Sequence, residues 1–121
     1  MFDHFSHAFV RQMKTFGETI REMREARSLL LREVAAKLDV DPSFLSRIES
    51  GTKRPSREQV VTLATIFHED KDKLLVLYLG ERLVYELKDE EDLAIEAIMV
   101  AEKRIRYNAK TSKKKRPGRG G

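Results

Sequence analysis

The side chains best suited to chemistry lie close together in the middle of the chain, and that chemistry is hydrogen bonding and charge. Arg47 carries a guanidinium, which can pair with both acceptors on the major-groove edge of guanine. Ser43 and Ser46 carry hydroxyls that can contact bases or phosphates. Lys53 and Arg54 follow a few residues later, and such cations commonly bind the phosphate backbone. The spacing therefore indicates a nucleic-acid contact in which one group reads bases and another binds phosphates.

A short helix is needed to hold the first of these groups, and the sequence predicts one from Pro42 to about Ser50. Asp41 is a suitable N-cap, and Pro42 fits the first helical position because its missing N–H is not needed there. Gly51 is a typical residue to end a helix. We therefore expect a rigid helix whose two ends are set by these residues.

Two faces are predicted for this helix. Leu45 and Ile48 lie three residues apart and are expected to point into the core. Phe44 is a candidate to cover a thymine methyl. The side expected to face the major groove carries the candidate base-reading residues Pro42, Ser43, Ser46 and Arg47.

Helical spacing dominates the rest of the chain, so we predict an all-α fold. Apolar residues recur every three or four positions from Phe2 to Met23, a helical pattern interrupted, if anywhere, at Gly17. Past Gly17 the helix is predicted to continue to Leu30. A short helix fits residues 31–38. Later helices are predicted from a capping box at Ser56–Gln59, from Asp70 or Asp72 to Leu79, and from the acidic segment 89–92, which caps the last helix.

Three segments together resemble the phage-repressor/Cro-like (XRE) helix-turn-helix family. They are residues 31–38 (LREVAAKL), 40–51 (VDPSFLSRIESG) and 53–56 (KRPS). The similarity covers about Phe16 to Leu79, and it implies a five-helix DNA-binding domain. The longer pattern also resembles the controller-type regulators that are encoded beside restriction–modification genes.

The resemblance also implies roles for individual residues. Its base-reading positions fall on Pro42, Ser43 and Arg47, with Phe44 and Ser46 nearby. Its phosphate contacts fall in and before the loop after this helix, and we expect them at Ser50, Thr52, Lys53 and Arg54. Its internal ion pair, which ties the first helix of the domain to the third, falls on Arg24 and Glu49.

This sequence departs from the family pattern at three places. Many members have Thr-Gln at the start of the second helix, where this chain has Leu30 and Leu31, so one cap and one phosphate contact are expected to be missing. The glycine that usually forms the turn is Asp39 here. Pro42 replaces a glutamine that is frequent at the start of the reading helix.

We predict four segments: an N-terminal helical extension (1–15), the helix-turn-helix domain (16–80), a C-terminal helical extension for dimerisation (81–108) and a basic disordered tail (109–121). The tail region from residue 110 holds six bases and no acid, whereas residues 81–102 hold eight acids and two bases. The net charge of +4 therefore reflects the tail and does not indicate a uniformly basic domain.

Several classes of protein are not expected. The sequence has no cysteine, no apolar run of membrane-spanning length, and none of the short motifs that mark common enzymes. The three histidines and the acidic segment 89–92 lack the pattern of a metal site. We therefore expect a cytoplasmic, non-enzymatic protein without a cofactor, a bound metal, a membrane partner or a small-molecule effector.

Two functions fit these features. The first is a transcriptional regulator that binds double-stranded DNA as a homodimer at an inverted-repeat operator, with the sequence leaving open repression or activation. The second is an antitoxin-type interaction module that neutralises a partner protein through its C-terminal helices, an interpretation favoured by the acidic residues 81–102.

Overall fold

The computed structural model describes residues 13–115 of the chain, and the side chains of residues 13–112. Over the described residues it contains six α-helices and no β-strand, in agreement with the predicted all-α fold. The helices are α1 (Phe16–Ala26), α2 (Leu31–Leu38), α3 (Pro42–Ser50), α4 (Arg57–Phe67), α5 (Lys71–Glu86) and α6 (Glu91–Lys115).

The chain divides into two compact units, Met1–Leu83 and Val84–Gly121. The first contains the hydrophobic core, in which α1 and α2 pack against α3, and α2 also packs against α4. The fully buried side chains come from α1 to α5 and include Ile20, Val34, Leu45, Ile48, Val60, Leu63, Phe67 and Leu74. Leu45 and Ile48 thus face the core as predicted, and α3 is anchored along one side.

Helix α1 begins later and ends earlier than predicted. Thr15 is its N-cap: the Thr15 hydroxyl accepts the N–H of Glu18 at 3.1 Å, and the Glu18 carboxylate accepts the N–H of Thr15 at 2.9 Å. A helix running unbroken from Phe2 is therefore wrong, because residues 13–15 are not helical; residues 1–12 lie outside the described residues. The helix ends at Ala26, not Leu30, because Ser28 adopts a left-handed conformation with φ 55°.

The turn between α2 and α3 is formed by Asp39, in the position where the resembled family has glycine. Asp39 has φ 62° and ψ 45°, which is the left-handed region that glycine adopts most readily and aspartate tolerates better than most residues. Its N–H binds the carbonyl of Ala36 at 3.1 Å, and the N–H of Val40 binds the carbonyl of Ala35 at 3.0 Å. The turn therefore closes without glycine.

Gly17 lies where α1 comes closest to the end of α3. A methyl group added at Gly17 would lie 2.6 Å from the carbonyl oxygen of Glu49 and would also overlap the carbonyl oxygen of Ile48. Both obstacles are backbone atoms, which cannot rotate away as a side chain can. Glycine is therefore required at this position by helix packing; it does not interrupt α1.

The last two helices are longer than predicted. Helix α5 continues past Leu79 to Glu86, so it runs through the predicted domain boundary at residues 80–81. Helix α6 continues past residue 108 to Lys115, so residues 109–115 are helical, contrary to the predicted disordered tail. Lysine is a good helix former and is favourable in the last turn, and Pro117 next interrupts the run of helix-forming residues. The remaining tail residues, 116–121, lie outside the described residues.

Replacing Gly17 with alanine is expected to lower the free energy of unfolding by about 2–3 kcal/mol, because the new methyl group overlaps backbone atoms of α3. Gly80 is the matched control, since it also lies inside a helix but has open space around it. Gly80→Ala is expected to raise the free energy of unfolding by up to about 1 kcal/mol through helix propensity. Urea denaturation measures both, and a Gly17→Ala variant as stable as the parent would contradict the packing described.

Candidate nucleic-acid interface

Helix α3 separates its core-facing and outward-facing residues cleanly. Leu45, Ile48 and Glu49 are buried, whereas four of the five predicted base-reading residues are exposed. These four are Pro42, Ser43, Ser46 and Arg47. The result is an exposed helical ridge of small side chains with one long cation, a shape that fits the width of the major groove.

Arg47 is the longest donor on this ridge. Its side chain is exposed, and within the described part of the chain no carboxylate pairs with it. An unpaired guanidinium keeps its donors available for a bidentate contact with a base or phosphate. The geometry therefore leaves Arg47 ready to bind an anionic or acceptor-rich partner.

Helix α3 begins as predicted, with Asp41 at the N-cap and Pro42 at the first helical position. The Asp41 carboxylate, however, makes no capping hydrogen bond with a backbone N–H of the described residues. It accepts instead the hydroxyl of Ser43 at 3.2 Å. Asp41 thus positions the Ser43 side chain, whose oxygen still has lone pairs free to accept a hydrogen bond.

Phe44 stands apart from the other predicted base-reading residues. Its ring is half-buried and packs against the hydrophobic core. The main contact of the Phe44 ring is therefore with the core, and only its exposed part is available to a thymine methyl.

The end of α3 leads directly into the predicted phosphate-binding loop. Gly51 ends the helix with φ 88°, and the carbonyl of Arg47 then accepts the N–H groups of Thr52 at 2.9 Å and Lys53 at 3.2 Å. The hydroxyl of Ser50 donates to the same carbonyl at 3.2 Å. The hydroxyls of Ser50 and Thr52 are also 3.3 Å apart. These bonds fix the loop directly beside Arg47.

A second anchor holds the far end of this loop. Pro55 is buried, and its carbonyl accepts the hydroxyl of Tyr78 at 2.8 Å. The Tyr78 ring meets Phe16 edge to face, with centroids 5.7 Å apart. The loop that carries Lys53 and Arg54 is therefore tied to the core at both ends, while both of these residues are exposed.

The charges in this region are strongly one-sided. Residues 42–57 contain four bases and one acid, Glu49, which is buried and paired with Arg24. Every exposed charge in the segment is therefore positive. Arg57, in the first turn of α4, is one of these bases and was not predicted as a contact. The sequence feature that marks Arg57 is a positive charge in the first turn of a helix, a position that the helix dipole makes unfavourable.

The structure brings Arg24 and Glu49 together across the interface between α1 and α3. The Nε of Arg24 donates to Oε2 of Glu49 at 2.8 Å, and Nη2 donates to Oε1 at 3.1 Å. The third nitrogen, Nη1, donates to the carbonyl of Leu29 at 3.0 Å. Only 13% and 7% of the two side chains are exposed. The hydrogen bond to Glu49 raises the pKa of Arg24, so its guanidinium stays charged despite burial.

A second arginine secures the end of α1 and has no counterpart among the predicted residues. The Nε of Arg27 donates to the carbonyl of Phe67 at 2.9 Å, and Nη2 donates to Oε2 of Glu69 at 2.9 Å. Its guanidinium also lies 5.4 Å from the centre of the Phe67 ring. Arg27 thus joins the ends of α1 and α4. Its Nη1 donates to the carbonyl of Met23 at 2.8 Å, four residues earlier, but the two partners that join it to α4 are 40 and 42 residues away, so no local pattern reveals this role.

The start of α2 lacks a side-chain cap, as the replacement of Thr-Gln predicts. Leu30 occupies the N-cap position and has no side-chain acceptor. The carboxylate of Glu33 accepts the N–H of Leu30 at 2.7 Å, which supplies half of a capping box. Leu31 is half-buried and packs on the core, so it contributes apolar contact in place of the polar contact that many relatives have.

Two short helices joined by a tight turn, with the second exposing a polar ridge beside a basic loop, define the helix-turn-helix class of DNA-binding domains. The sequence also matches the family model described as a helix-turn-helix domain, over residues 15–76. The chain belongs to this family. The match agrees with the resemblance to phage-repressor/Cro-like proteins. A comparison with curated proteins found no match.

The described residues give little support for a metal site or a membrane-spanning segment. Within residues 13–115, no group of three or more histidine or acidic side chains is placed to hold a metal ion. No helix in that range is long and apolar enough to cross a membrane. His4 and His7 lie outside the described residues. Helix-turn-helix domains are typically non-enzymatic, and the exposed ridge of α3 is the candidate site that the fold provides.

Arg24→Ala is expected to lower the free energy of unfolding by about 3–5 kcal/mol, because it leaves the buried Glu49 carboxylate without its partner. Arg21→Ala is the matched control on the same helix. Its partner, Glu25, is exposed, and such pairs contribute roughly 0.5 kcal/mol or less. Thermal and urea denaturation measure the free energy of unfolding of both variants. Equal losses of this free energy would show that the buried pair does not fix α3.

Proposed function

We propose that this protein is a sequence-specific DNA-binding transcriptional regulator that acts as a homodimer on an inverted-repeat operator. The observation that carries the proposal is the exposed ridge of α3, with Arg47 unpaired among the described residues and every exposed charge in residues 42–57 positive. DNA is a partner whose surface offers base-edge acceptors for the ridge and phosphates for the neighbouring cations.

In this proposal the residues of α3 and those of the loop after it make different contacts with DNA. Ser43, Ser46 and Arg47 contact base edges, Pro42 makes apolar contact at the start of the ridge, and Phe44 adds what its accessible part allows. Phosphates are bound by four residues at the end of α3 and in the loop after it, which are Ser50, Thr52, Lys53 and Arg54. Arg57 is an additional candidate. The anchors at Gly51 and Pro55 support this division, because they hold the loop in one place beside the ridge.

Exposed apolar side chains support the homodimer. Leu79 and Leu83 on α5, and Ile98 and Val100 on α6, are between 40% and 68% exposed. Monomeric proteins seldom leave so many large apolar side chains in water. A second copy of the chain would cover them, and a two-fold dimer explains recognition of two half-sites about 34 Å apart.

Selection from a random DNA library tests the function without assuming any operator sequence. The full chain is expected to enrich one motif, arranged as an inverted repeat with half-site centres about 10 base pairs or a multiple apart. Enrichment of no motif, with equal binding to all duplexes, would refute sequence-specific recognition. A single half-site would keep base reading and refute the paired operator.

Arg47→Ala is expected to weaken binding to the selected motif by about 1–3 kcal/mol and to relax the preference at one base pair per half-site. Arg47→Lys is the informative control. It keeps the positive charge but loses the planar fork that makes a bidentate contact with guanine. It should therefore recover part of the affinity but not the base preference. Fluorescence anisotropy on the motif and on its single-base variants measures both, and a preference retained by either variant would exclude Arg47 as a base reader.

Lys53→Ala is expected to weaken binding to motif and random DNA by the same factor, because phosphates carry no sequence information. It should also reduce the slope of log affinity against log salt concentration by about 1. Lys73, an exposed lysine of α5, provides the matched control, and Lys73→Ala should leave both quantities unchanged. A loss confined to the selected motif would instead make Lys53 a base-reading residue.

An antitoxin-type interaction module is the second candidate, favoured by the eight acids among residues 81–102 and by the exposed apolar residues of the same segment. This alternative expects the chain to co-purify with one defined protein partner. A chain that binds no protein partner but enriches a DNA motif would rule against it.

A further inference from the structure

The C-terminal half of α6 carries charge of one sign. Residues 103–115 contain seven bases and no acid. The bases are Lys103, Arg104, Arg106, Lys110, Lys113, Lys114 and Lys115. The helix dipole favours cations in the last turn of a helix, but Lys103, Arg104 and Arg106 lie before the last turn of α6. The dipole therefore does not account for this half of the helix.

Five of the seven bases fall on one side of α6. At 100° per residue, their positions lie within an arc of about 100°, and no other residue of 103–115 falls in that arc. We call these five residues the basic stripe, and they are Lys103, Arg106, Lys110, Lys113 and Lys114. At a rise of 1.5 Å per residue, the stripe runs for roughly 16 Å along the helix.

Little in the described part of the chain neutralises the basic stripe. The side chains of Lys103, Arg106 and Lys110 are exposed. Among the described side chains, Lys103 and Lys110 form no ion pair, and Arg106 forms one with Glu102 at 2.9 Å. That pair is exposed, and exposed pairs contribute little, so a phosphate can replace Glu102. Successive bases of the stripe also lie three or four residues apart, where like charges repel, and a negatively charged partner would relieve this repulsion.

The composition of this half-helix favours a nucleic acid over a protein or a membrane. Protein interfaces are poor in lysine, and the basic stripe holds no apolar residue. A helix that lies on a membrane carries a broad apolar face, whereas the two large apolar side chains here, Ile105 and Tyr107, lie on different sides. A DNA duplex requires no apolar face, because it presents about one negative charge for every 1.7 Å of its axis. Cations clustered along one side of a helix are the usual electrostatic signature of such a partner.

We infer that the basic stripe of α6 binds the phosphate backbone of duplex DNA, as a second contact in addition to the one made by α3. The inference rests on the proposed function, which makes duplex DNA the ligand of this chain. Four of the five bases in the stripe are lysines. A lysine ammonium is a compact charge that suits a phosphate, and it lacks the planar fork with which arginine reads guanine. The stripe therefore adds affinity for every sequence, while α3 selects among sequences.

The salt dependence of DNA binding by the full chain tests the inference. Lys103→Gln combined with Lys110→Gln removes two charges of the stripe, and glutamine forms helix about as well as lysine. Binding to the selected motif and to random duplex should weaken by the same factor, at least about fivefold at about 0.1 M salt. The slope of log affinity against log salt concentration should fall by about 2 for each chain bound. Fluorescence anisotropy at several salt concentrations measures both quantities.

Two control variants separate the position of the charge from its amount. Lys103→Arg combined with Lys110→Arg keeps both charges and should keep the affinity and the slope. Lys71→Gln combined with Lys73→Gln removes two charges from exposed lysines of α5 and should change neither. A parental slope in the Gln variant of the stripe, or an equal loss in the Gln variant of α5, would overturn the inference. A loss confined to the selected motif would overturn the sequence-independent role.

Protection of single thiols locates the contact on α6. The chain has no cysteine, so Lys110→Cys introduces one thiol in the basic stripe, and Asn108→Cys introduces one on the opposite side. Saturating random duplex should slow the alkylation of the thiol at residue 110 severalfold and leave that at residue 108 nearly unchanged. Equal slowing at both positions, or none at residue 110, would contradict the inference. Protection of residue 110 by vesicles of anionic phospholipid but not by duplex would assign the stripe to a membrane surface and overturn the inference.

These tests separate the basic stripe from the proposed regulator. A chain that enriches a DNA motif but keeps its salt slope in the Gln variant of the stripe would keep the regulator and refute the α6 contact. A chain that enriches no motif, but binds random duplex with a slope that the same variant lowers, would keep the α6 contact and refute sequence-specific regulation.

Discussion

The position of α3 depends on its contact with α1, which is fixed by one ion pair and one glycine. Arg24 binds Glu49 through two hydrogen bonds, and Gly17 lets the backbones approach until no side chain fits between them. Glu49 lies one residue after the buried Ile48, so the pair sets both the rotation of α3 and its distance from the core. Because Leu45 and Ile48 must point inward, Ser43, Ser46 and Arg47 have to point outward. The candidate site is therefore a consequence of packing.

Much of this arrangement can be predicted from the sequence because its signals are local. Pro42 and Gly51 mark the ends of α3, Ser56 and Gln59 mark the start of α4, and apolar spacing identifies the core face. Other features depend on partners distant in sequence. No residue near Arg27 in the sequence indicates its hydrogen bonds to Phe67 and Glu69. Gly17 looks in the sequence like a break in the helix, and only its contact with the backbone of α3 shows why glycine is needed there. The length of α6 is hard to predict because its lysine-rich end suits both a solvated helix and a tail.

Two segments of the chain use charge in different ways. In residues 42–57 the only acid is buried against Arg24, so the exposed surface has a single sign, which suits a polyanion. In α6 both signs are present in equal number along residues 91–110 but are kept apart along the helix. The same residue types thus give a surface of one sign in the first segment and separate blocks of each sign in α6, because their arrangement differs. The net charge alone distinguishes neither.

The central claim is that the outer side of α3 and its loop form the surface that meets DNA. Amide chemical-shift changes on titration of the full chain with its selected duplex test this claim residue by residue. The account predicts that the largest changes fall in residues 42–54, with little change in the core-facing segments of α1 and α4. Large changes confined to other surfaces, with residues 42–54 unaffected at saturation, would contradict it.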